Sequence, residues 1–226
     1  MRIPLEIPPG LNTDDTALAS SPAWADGSNT RFRLGRPQTI GGWESIVSDT
    51  LGGVCRTAFV WTDNDNTLTI GFGTHQTLEL YQGGALYDIT PSSGFTAGQI
   101  DGTGSTGYGT GAYGIGGYGS PSATDYFPLT WSFGAYGQTL IACPRGQTIF
   151  QWSNNTAVVA AAVTNAPDEV TFCGVAPTRQ IFAFGCSEET SGLYNPLCIR
   201  GSDIEDPTDW TSLSTNNAFE HILEGG

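Results

Sequence analysis

The stretch "TLTIGFGTHQTLELYQGGALYDITP", residues 67–91, alternates apolar residues with polar or small ones and is interrupted by "QGG". An alternation with a period of two predicts β-strands, and a short glycine-containing break between two such runs predicts a hairpin turn. The preceding segments "VCRTAFVW" (54–61) and "TDNDN" (62–66) add one more strand and one more turn. This region therefore predicts a meander of three or four antiparallel strands.

The same unit recurs further along the chain. A shift of 71 residues places "QTLELY" (76–81) on "QTIFQW" (147–152) and "TIGF" (69–72) on "LIAC" (140–143). We interpret residues 96–122 as an insertion, because removing those 27 residues leaves 44, the length of one propeller blade of about 40–45 residues. A third unit is predicted to begin at "TRQIFAFG" (178–185).

These patterns predict an all-β fold of β-propeller-like antiparallel blades with an N-terminal extended strand segment. We expect residues 1–45 to form an N-terminal docking segment and residues 46–226 to form a propeller-like domain of two to three blades, with the Gly/Tyr-rich insertion at 96–122. A closed propeller needs about four to eight blades. Since "NNAFEHILEGG" (216–226) ends on a strand pattern without a closing strand, we expect either a partial, open fold or a native product that continues past Gly226.

The charge of the chain is strongly negative. Charged residues make up only 13 % of the 226 residues, the formal net charge is −14, and all eight basic residues are arginine. A nucleic-acid-binding protein needs a basic surface, so this class is excluded. The lining of a conduit through which DNA slides would be acidic, although acidity by itself often reflects only solubility.

The glycine- and tyrosine-rich stretch "STGYGTGAYGIGGYGSPS" (105–122) contains overlapping matches to the dinucleotide fingerprint G-x-G-x-x-G. That motif must follow a strand and open a helix, whereas "SPSATDYFP" follows here, with two prolines and no helical pattern. Nucleotide binding is therefore not predicted. Large amphipathic side chains at every fifth position instead favour an ordered contact loop, in which Tyr108, Tyr113 and Tyr118 pack on a neighbouring subunit or on another protein of the same assembly.

The residues that commonly carry chemistry do not form a recognisable site. Five cysteines in apolar surroundings predict buried, reduced thiols, and His75 and His221 are too few and too isolated for a metal site. The acidic stretches "DNDN" (63–66) and "DIEDPTDW" (203–210) favour turns over cation sites. We therefore expect no catalytic residues, no metal and no cofactor.

Three of the eight arginines, Arg31, Arg33 and Arg36, lie within six residues of one another in "RFRLGR". One interpretation is an edge strand with its arginines in water. The other is a docking strand whose guanidinium groups meet carboxylates on a partner or on the next subunit. The sequence leaves both open.

Taken in order, several segments resemble the tail nozzle of short-tailed bacteriophages, also called tail tubular protein B, and its relatives near the portal. The segments are "IPPGLNTDDTALASSPAWADGSNTRFRLGRPQTIGGW" (7–43), "LTIGFGTHQTLELYQGGALYDITP" (68–91), the glycine–tyrosine insertion, "WSFGAYGQTLIACPRGQTIFQW" (131–152), "PLCIRGSDIEDPTDW" (196–210) and "NAFEHILEGG" (217–226). The resemblance covers nearly the whole chain, and the order of the segments carries it more than any single motif.

The resemblance implies a structural virion protein that is assembled in the host cytoplasm and is not inserted into a membrane. Its subunits would form a ring, typically a hexamer, below the portal and adaptor proteins. The ring would enclose the channel that retains and later releases the double-stranded genome. The alternative is a receptor- or glycan-binding tail module, with or without hydrolytic activity, whose tryptophans would stack on sugars. Trp61, Trp131 and Trp152 lie within strand patterns, where burial in blades is expected instead.

Overall fold

The computed structural model describes residues 9–13, 16, 24, 26–42, 44–100 and 128–224. All of its regular secondary structure is β-strand, and all strand pairing between its strands is antiparallel. The all-β prediction is therefore confirmed. Within this part of the chain, no helix has the length and apolarity that crossing a membrane requires. The chain divides into two compact units, Met1–Ile46 and Val47–Gly226.

The first unit contains one hairpin, formed by β1 (Thr30–Arg33) and β2 (Arg36–Thr39). Leu34 and Gly35 connect the two strands, and both have positive φ angles of 51° and 73°. Two consecutive positive φ angles are the backbone of the two-residue turn whose twist matches that of antiparallel strands. The tight turn therefore fixes which residues of the two strands lie opposite each other.

The second unit contains three four-stranded sheets, each a meander in which consecutive strands pair. The first sheet consists of β3 (Cys55–Thr62), β4 (Leu68–Thr74), β5 (Leu78–Gln82) and β6 (Ala85–Asp88); the second of β7 (Trp131–Tyr136), β8 (Thr139–Pro144), β9 (Phe150–Trp152) and β10 (Ala161–Ala162); and the third of β11 (Phe172–Val175), β12 (Ile181–Ser187), β13 (Tyr194–Gly201) and β14 (Phe219–Ile222).

The three sheets stack face to face, and two apolar layers fill the spaces between them. One layer, which includes Trp61, Leu80, Leu140 and Phe150, lies between the first and second sheets. The other, which includes Ile141, Ile149, Val170, Cys173, Ile181 and Trp210, lies between the second and third. Four-stranded meanders packed in this way are propeller-like blades. The described residues form three such blades and no closed ring.

The structure corrects the repeat alignment by one residue. Cross-strand partners show that Gly71 lies opposite Leu80, while Ile141 lies opposite Gln151. The shift of 71 therefore holds for the third strands, but the second strands correspond at a shift of 70. The cause is the connection between the second and third strands, because the partners Ile141 and Gln151 are ten residues apart whereas Gly71 and Leu80 are nine apart. A slip of one residue moves every side chain to the opposite face of a sheet. Aligning "TIGF" with "LIAC" therefore matches residues on one face of the first sheet with residues on the opposite face of the second.

Candidate assembly surfaces

Each sheet has two different faces, and the stack uses them in the same order. We call the face that receives the next sheet along the chain the leading face, and the opposite one the trailing face. In the first sheet, Phe59, Trp61, Gly71 and Gly73 belong to the leading face; in the second, Ser132, Gly134, Ile141 and Cys143 do. Leading faces carry glycines where the next sheet comes close.

The two internal contacts show this close approach directly. A Cβ atom on Gly73 would lie 2.3 Å from Cδ1 of Trp131, and a Cβ atom on Gly134 would lie 2.5 Å from Cγ2 of Val175. Both distances are far below van der Waals contact. Glycine is therefore required at these positions because a bulky residue of the next sheet occupies the space of a side chain.

The leading face of the third sheet has no further sheet above it among the described residues. Its surface is apolar, because cross-strand register places two rows of side chains there: Phe172, Phe184, Ile199 and His221 in one, and Gly174, Phe182, Gly201 and Phe219 in the other. The rings of Phe172 and Phe184 are 6.0 Å apart, and those of Phe182 and Phe219 are 5.8 Å apart. Phe172 is 53 % exposed and Phe184 38 %.

The trailing face of the first sheet also carries an apolar row, and no further sheet of the described residues packs on it. Val60, Ile70, Tyr81 and Leu86 are successive cross-strand partners and form a row across all four strands. Val60 and the neighbouring Leu68 are each 55 % exposed, whereas Trp61 on the leading face of the same strand is 6 % exposed. Exposed apolar patches of this kind are typical of interaction surfaces.

The arginine face of the β1–β2 hairpin consists of Arg31, Arg33 and Arg36. Arg33 lies directly opposite Arg36, and Arg31 shares their face because it is two residues from Arg33. All three side chains are exposed. Like charges directly opposite each other destabilise a strand pair. A partner that places carboxylates on this face would therefore stabilise the hairpin.

The acidic end of the three-sheet stack, as we call it, is the end at which five carboxylates lie in two connections between strands. Asp63 and Asp65 lie in the turn after β3, and Asp203, Glu205 and Asp206 lie in the loop after β13. Two hydrogen bonds tie these turns to their neighbours: Asn154 Nδ2 donates to Asp63 Oδ2 at 3.3 Å, and the Glu205 amide donates to the Arg179 carbonyl at 3.0 Å. This acidic end lies where "DNDN" and "DIEDPTDW" are predicted to form turns, and the structure confirms those turns.

Several of these carboxylates hold their turns by accepting hydrogen bonds. Asp203 Oδ1 accepts one from the Asn217 amide at 2.8 Å and one from Asn217 Nδ2 at 3.0 Å, and the Ile204 amide donates to the same atom. The bond from the Asn217 backbone is the largest cause that lowers the pKa of Asp203, followed by the bond from its side chain. Hydrogen bonds to the charged form stabilise it against protonation.

We expect acid to weaken this end of the fold through Asp203. Because the folded-state pKa is lowered, Asp203 contributes stability above its unfolded pKa of about 3.9, and this contribution is lost as the pH falls through the folded value. The urea midpoint should therefore fall from about pH 5 to about pH 2.5 by more in the unmodified protein than in Asp203→Asn. Asp65→Asn, in the other turn, is the control. An equal pH dependence in Asp203→Asn and the unmodified protein would contradict the assignment.

The cysteines are mostly structural. Cys143, Cys173, Cys186 and Cys198 are buried between the second and third sheets, as predicted. Burial raises the pKa of Cys186 to about 12 and raises that of Cys143 well above its usual value, so the thiols of Cys143 and Cys186 stay protonated and unreactive. Cys55 is exposed, which corrects the prediction that all five are buried.

The two histidines lie far from any ligand set. His75 is 5 % exposed, and its Nδ1 accepts a hydrogen bond from the Val54 amide at 3.0 Å. His221 lies exposed on β14. Over the described ranges, no three histidine, cysteine, aspartate or glutamate side chains lie close enough together to hold a metal ion.

The tryptophans expected in the blades are buried there. Trp61, Trp131, Trp152 and Trp210 are each at most 6 % exposed. The Nε1 atom of Trp131 donates to the Thr74 carbonyl at 2.7 Å across the boundary between the first two sheets. These indole rings therefore belong to the core layers and are covered by protein.

The predicted contact tyrosines Tyr108, Tyr113 and Tyr118 lie outside the described residues. The start of the predicted insertion is described and is tied to the sheets. Gln147 exchanges two hydrogen bonds with the backbone of Thr96, at 2.8 and 2.7 Å, and the Gly98 amide donates to the His75 carbonyl at 2.6 Å. Residues 96–100 therefore run along the first and second sheets.

Sequence reasoning found the arginine face but missed the two uncovered sheet faces. Apolar residues occur on both faces of the blades, so alternation along one strand does not distinguish a buried face from an exposed one. The sequence feature that could have revealed the exposed face of the third sheet is the density of phenylalanine in "TFCGV" (171–175) and "QIFAFG" (180–185).

Comparison of the chain with family models, with curated proteins and with solved structures finds no match in any of the three.

Proposed function

We propose that this chain is a structural subunit of the tail of a short-tailed bacteriophage, which assembles with copies of itself into a ring around the DNA channel below the portal and adaptor. The basis is the resemblance of the ordered segments described above. The resemblance implies six copies in the ring. In this proposal the chain has no catalytic role, and the genome passes through the channel without being bound.

Beside the resemblance, the separation of charge along the chain is the observation that supports assembly of copies into a ring. Three of the eight arginines share one face of the hairpin, whereas 17 of the 22 acidic residues and only four arginines lie in Val47–Gly226, which therefore carries a formal net charge of −13. A hairpin with a cationic face and a unit with a large negative charge are complementary between copies. In a ring, each subunit offers its hairpin to the acidic surface of the next.

The acidic end of the sheet stack supports the role of a conduit. Asp65 and Glu205 are exposed there, beside the turn-forming Asp63, Asp203 and Asp206. Duplex DNA carries one negative charge per about 1.7 Å of its axis, so a wall with this charge repels the phosphates. Repulsion would keep the genome from adhering while it leaves the particle.

Negative-stain images of the purified chain test the proposal. We expect rings with a central hole. The same material should be tested for binding and depolymerisation of bacterial surface glycans, because activity there without rings would favour the receptor- or glycan-binding module instead. Compact particles without a hole, at all concentrations that can be reached, would contradict the ring.

The arginine face should be needed for assembly. In the triple variant Arg31→Gln, Arg33→Gln and Arg36→Gln, the hairpin loses its positive charge but keeps its turn. We expect this variant to fold but not to form rings. Raising the ionic strength from about 0.05 M to about 1 M should weaken the rings of the unmodified protein in the same way, because salt screens exposed ion pairs. Arg179→Gln, an exposed arginine outside the hairpin, is the matched control. Rings that persist in the triple variant would show that the hairpin is not the contact.

A further inference from the structure

We infer that two copies of this chain join head to tail, each packing the leading face of its third sheet against the trailing face of the first sheet of the other. The two copies together then close a ring of six blades. This inference rests on the sheet faces alone and does not depend on a role in a phage tail.

The first step is that the two uncovered faces are the same kinds of face that already pack together twice within the chain. At both internal contacts a leading face meets the trailing face of the next sheet. The third sheet ends the stack with a leading face, which carries Phe172, Phe182 and Phe184. The first sheet begins the stack with a trailing face, which carries Val60 and Ile70. A second copy therefore supplies the complement of each face without any other partner.

The second step is that the leading face of the third sheet has space where the other leading faces are filled. Gly134 on β7 is covered by Val175 of the next sheet, with a Cβ position 2.5 Å from Cγ2 of that valine. Gly174 has the corresponding place on β11, and the nearest atom to its Cβ position is 3.8 Å away, in Phe172 of its own strand. Like Val175, Val60 is a first-strand valine on a trailing face, so it has the shape to fill this space.

The third step concerns charge. On the leading face of the third sheet, β14 carries His221, whereas on the trailing face of the first sheet, β6 carries Asp88. His221 and Asp88 both lie in the fourth strand of their sheets and are exposed. The first two sheets already touch along this edge, since the Ala160 amide donates to the Ile89 carbonyl at 2.9 Å. The same arrangement between copies brings a histidine close to a carboxylate.

The fourth step is the number of copies. Propellers close with about four to eight blades. Three blades are too few, two copies provide six, and three copies provide nine, which exceeds the range. A head-to-tail contact that closes after two copies of this chain buries the leading face of the third sheet and the trailing face of the first sheet in both copies.

The mass of the unmodified protein in solution is the first measurement. Size-exclusion chromatography with light scattering should give twice the 23.8 kDa of one chain at a protein concentration of about 10 μM, which corresponds to a dissociation constant of about 1 μM or tighter. Phe184→Glu on the leading face and Val60→Glu on the trailing face should each give single chains, because each places a charge in both contacts. Leu193→Glu, which is 71 % exposed in the turn between β12 and β13, is the control and should remain paired. Circular dichroism confirms that each variant is folded.

Mixing the two variants tests the head-to-tail geometry. A Phe184→Glu chain retains an intact trailing face, and a Val60→Glu chain retains an intact leading face, so a mixture restores one unmodified contact. Native mass spectrometry should detect the mixed pair and neither variant paired with itself. A pair that needs the same face from both copies would not be restored in this way.

Three results would overturn the inference: a monomer for the unmodified protein at about 10 μM, a pair that survives both glutamate substitutions, or no mixed pair from variants that separately lose pairing. Failure of the tail role looks different. Paired chains without larger rings would support the six-blade closure and contradict the proposed function.

Discussion

Replacement of Trp131 by alanine is expected to lower the free energy of unfolding by about 3–5 kcal/mol, a large part of the total of about 5–15 kcal/mol for a protein of this kind. Trp131 is 4 % exposed and lies against Gly73, between the first and second sheets. Its ring also packs on Phe95 at 5.3 Å and on Phe133 at 6.1 Å. Removal of the indole leaves a cavity that the two rigid sheets do not close.

Urea unfolding followed by circular dichroism measures this effect at one fixed protein concentration, because pairing of chains makes the midpoint depend on concentration. Trp131→Phe separates the hydrogen bond from the packing. The phenylalanine keeps an aromatic ring but removes the donor to the Thr74 carbonyl. We expect it to lower the free energy of unfolding by more than the hydrogen bond alone contributes, which is about 0.5–1.5 kcal/mol. The loss should be smaller than that caused by alanine. Leu193→Ala, on the exposed turn, should change stability by no more than about 0.5 kcal/mol. A Trp131→Ala variant as stable as this control would contradict the packing described.

Gly134→Ala is expected to destabilise the second contact between sheets by about 1–3 kcal/mol, although it adds a single methyl group. The new Cβ would lie 2.5 Å from Cγ2 and 3.0 Å from Cβ of Val175, and 3.3 Å from the Val175 amide nitrogen. Because the amide belongs to β11 itself, relief requires movement of that strand and not only a side-chain rotation. The measurement is the same urea unfolding experiment.

A double-mutant cycle identifies the cause. Val175→Ala removes Cγ2, the atom nearest to the new methyl group, so the cost of Gly134→Ala should be smaller in that background by about 0.5 kcal/mol or more. Gly41→Ala is the matched control, since no atom lies within 4 Å of its Cβ position and its φ angle is not positive. Additive costs in the cycle would show that the destabilisation comes from elsewhere.

The local structure followed from the sequence because its causes are local. Alternating apolar residues in 54–91, with breaks at "TDNDN" and "QGG", specify strands and turns through side-chain alternation and backbone preference alone. The same reasoning predicted meanders of three or four strands and the burial of Trp61, Trp131 and Trp152. Arg31, Arg33 and Arg36 were recognised as a candidate contact because arginine is scarce elsewhere, and the hairpin turn then placed them on one face.

Which side chains lie on which face of a sheet depends on strand register, and the repeat alignment did not show that register. One additional residue between the cross-strand partners of β8 and β9 changes the shift between second strands from 71 to 70 and exchanges the two faces. The similarity of "TIGF" to "LIAC" does not reveal such a change, because a comparison of residue types contains no information on which residues pair across two strands. Only the pairing of Ile141 with Gln151 and of Gly71 with Leu80 resolves it.

The sequence by itself determined that this chain forms antiparallel β-meanders with buried tryptophans and thiols, in a molecule with a strong negative charge. The tertiary structure decided which apolar faces are covered. Apolar residues occur on both faces of the blades, and whether Phe172 or Val60 meets another sheet depends on which blade lies at the end of the stack. Burial is a property of what lies opposite a side chain, and that neighbour is brought there by residues far away in the chain.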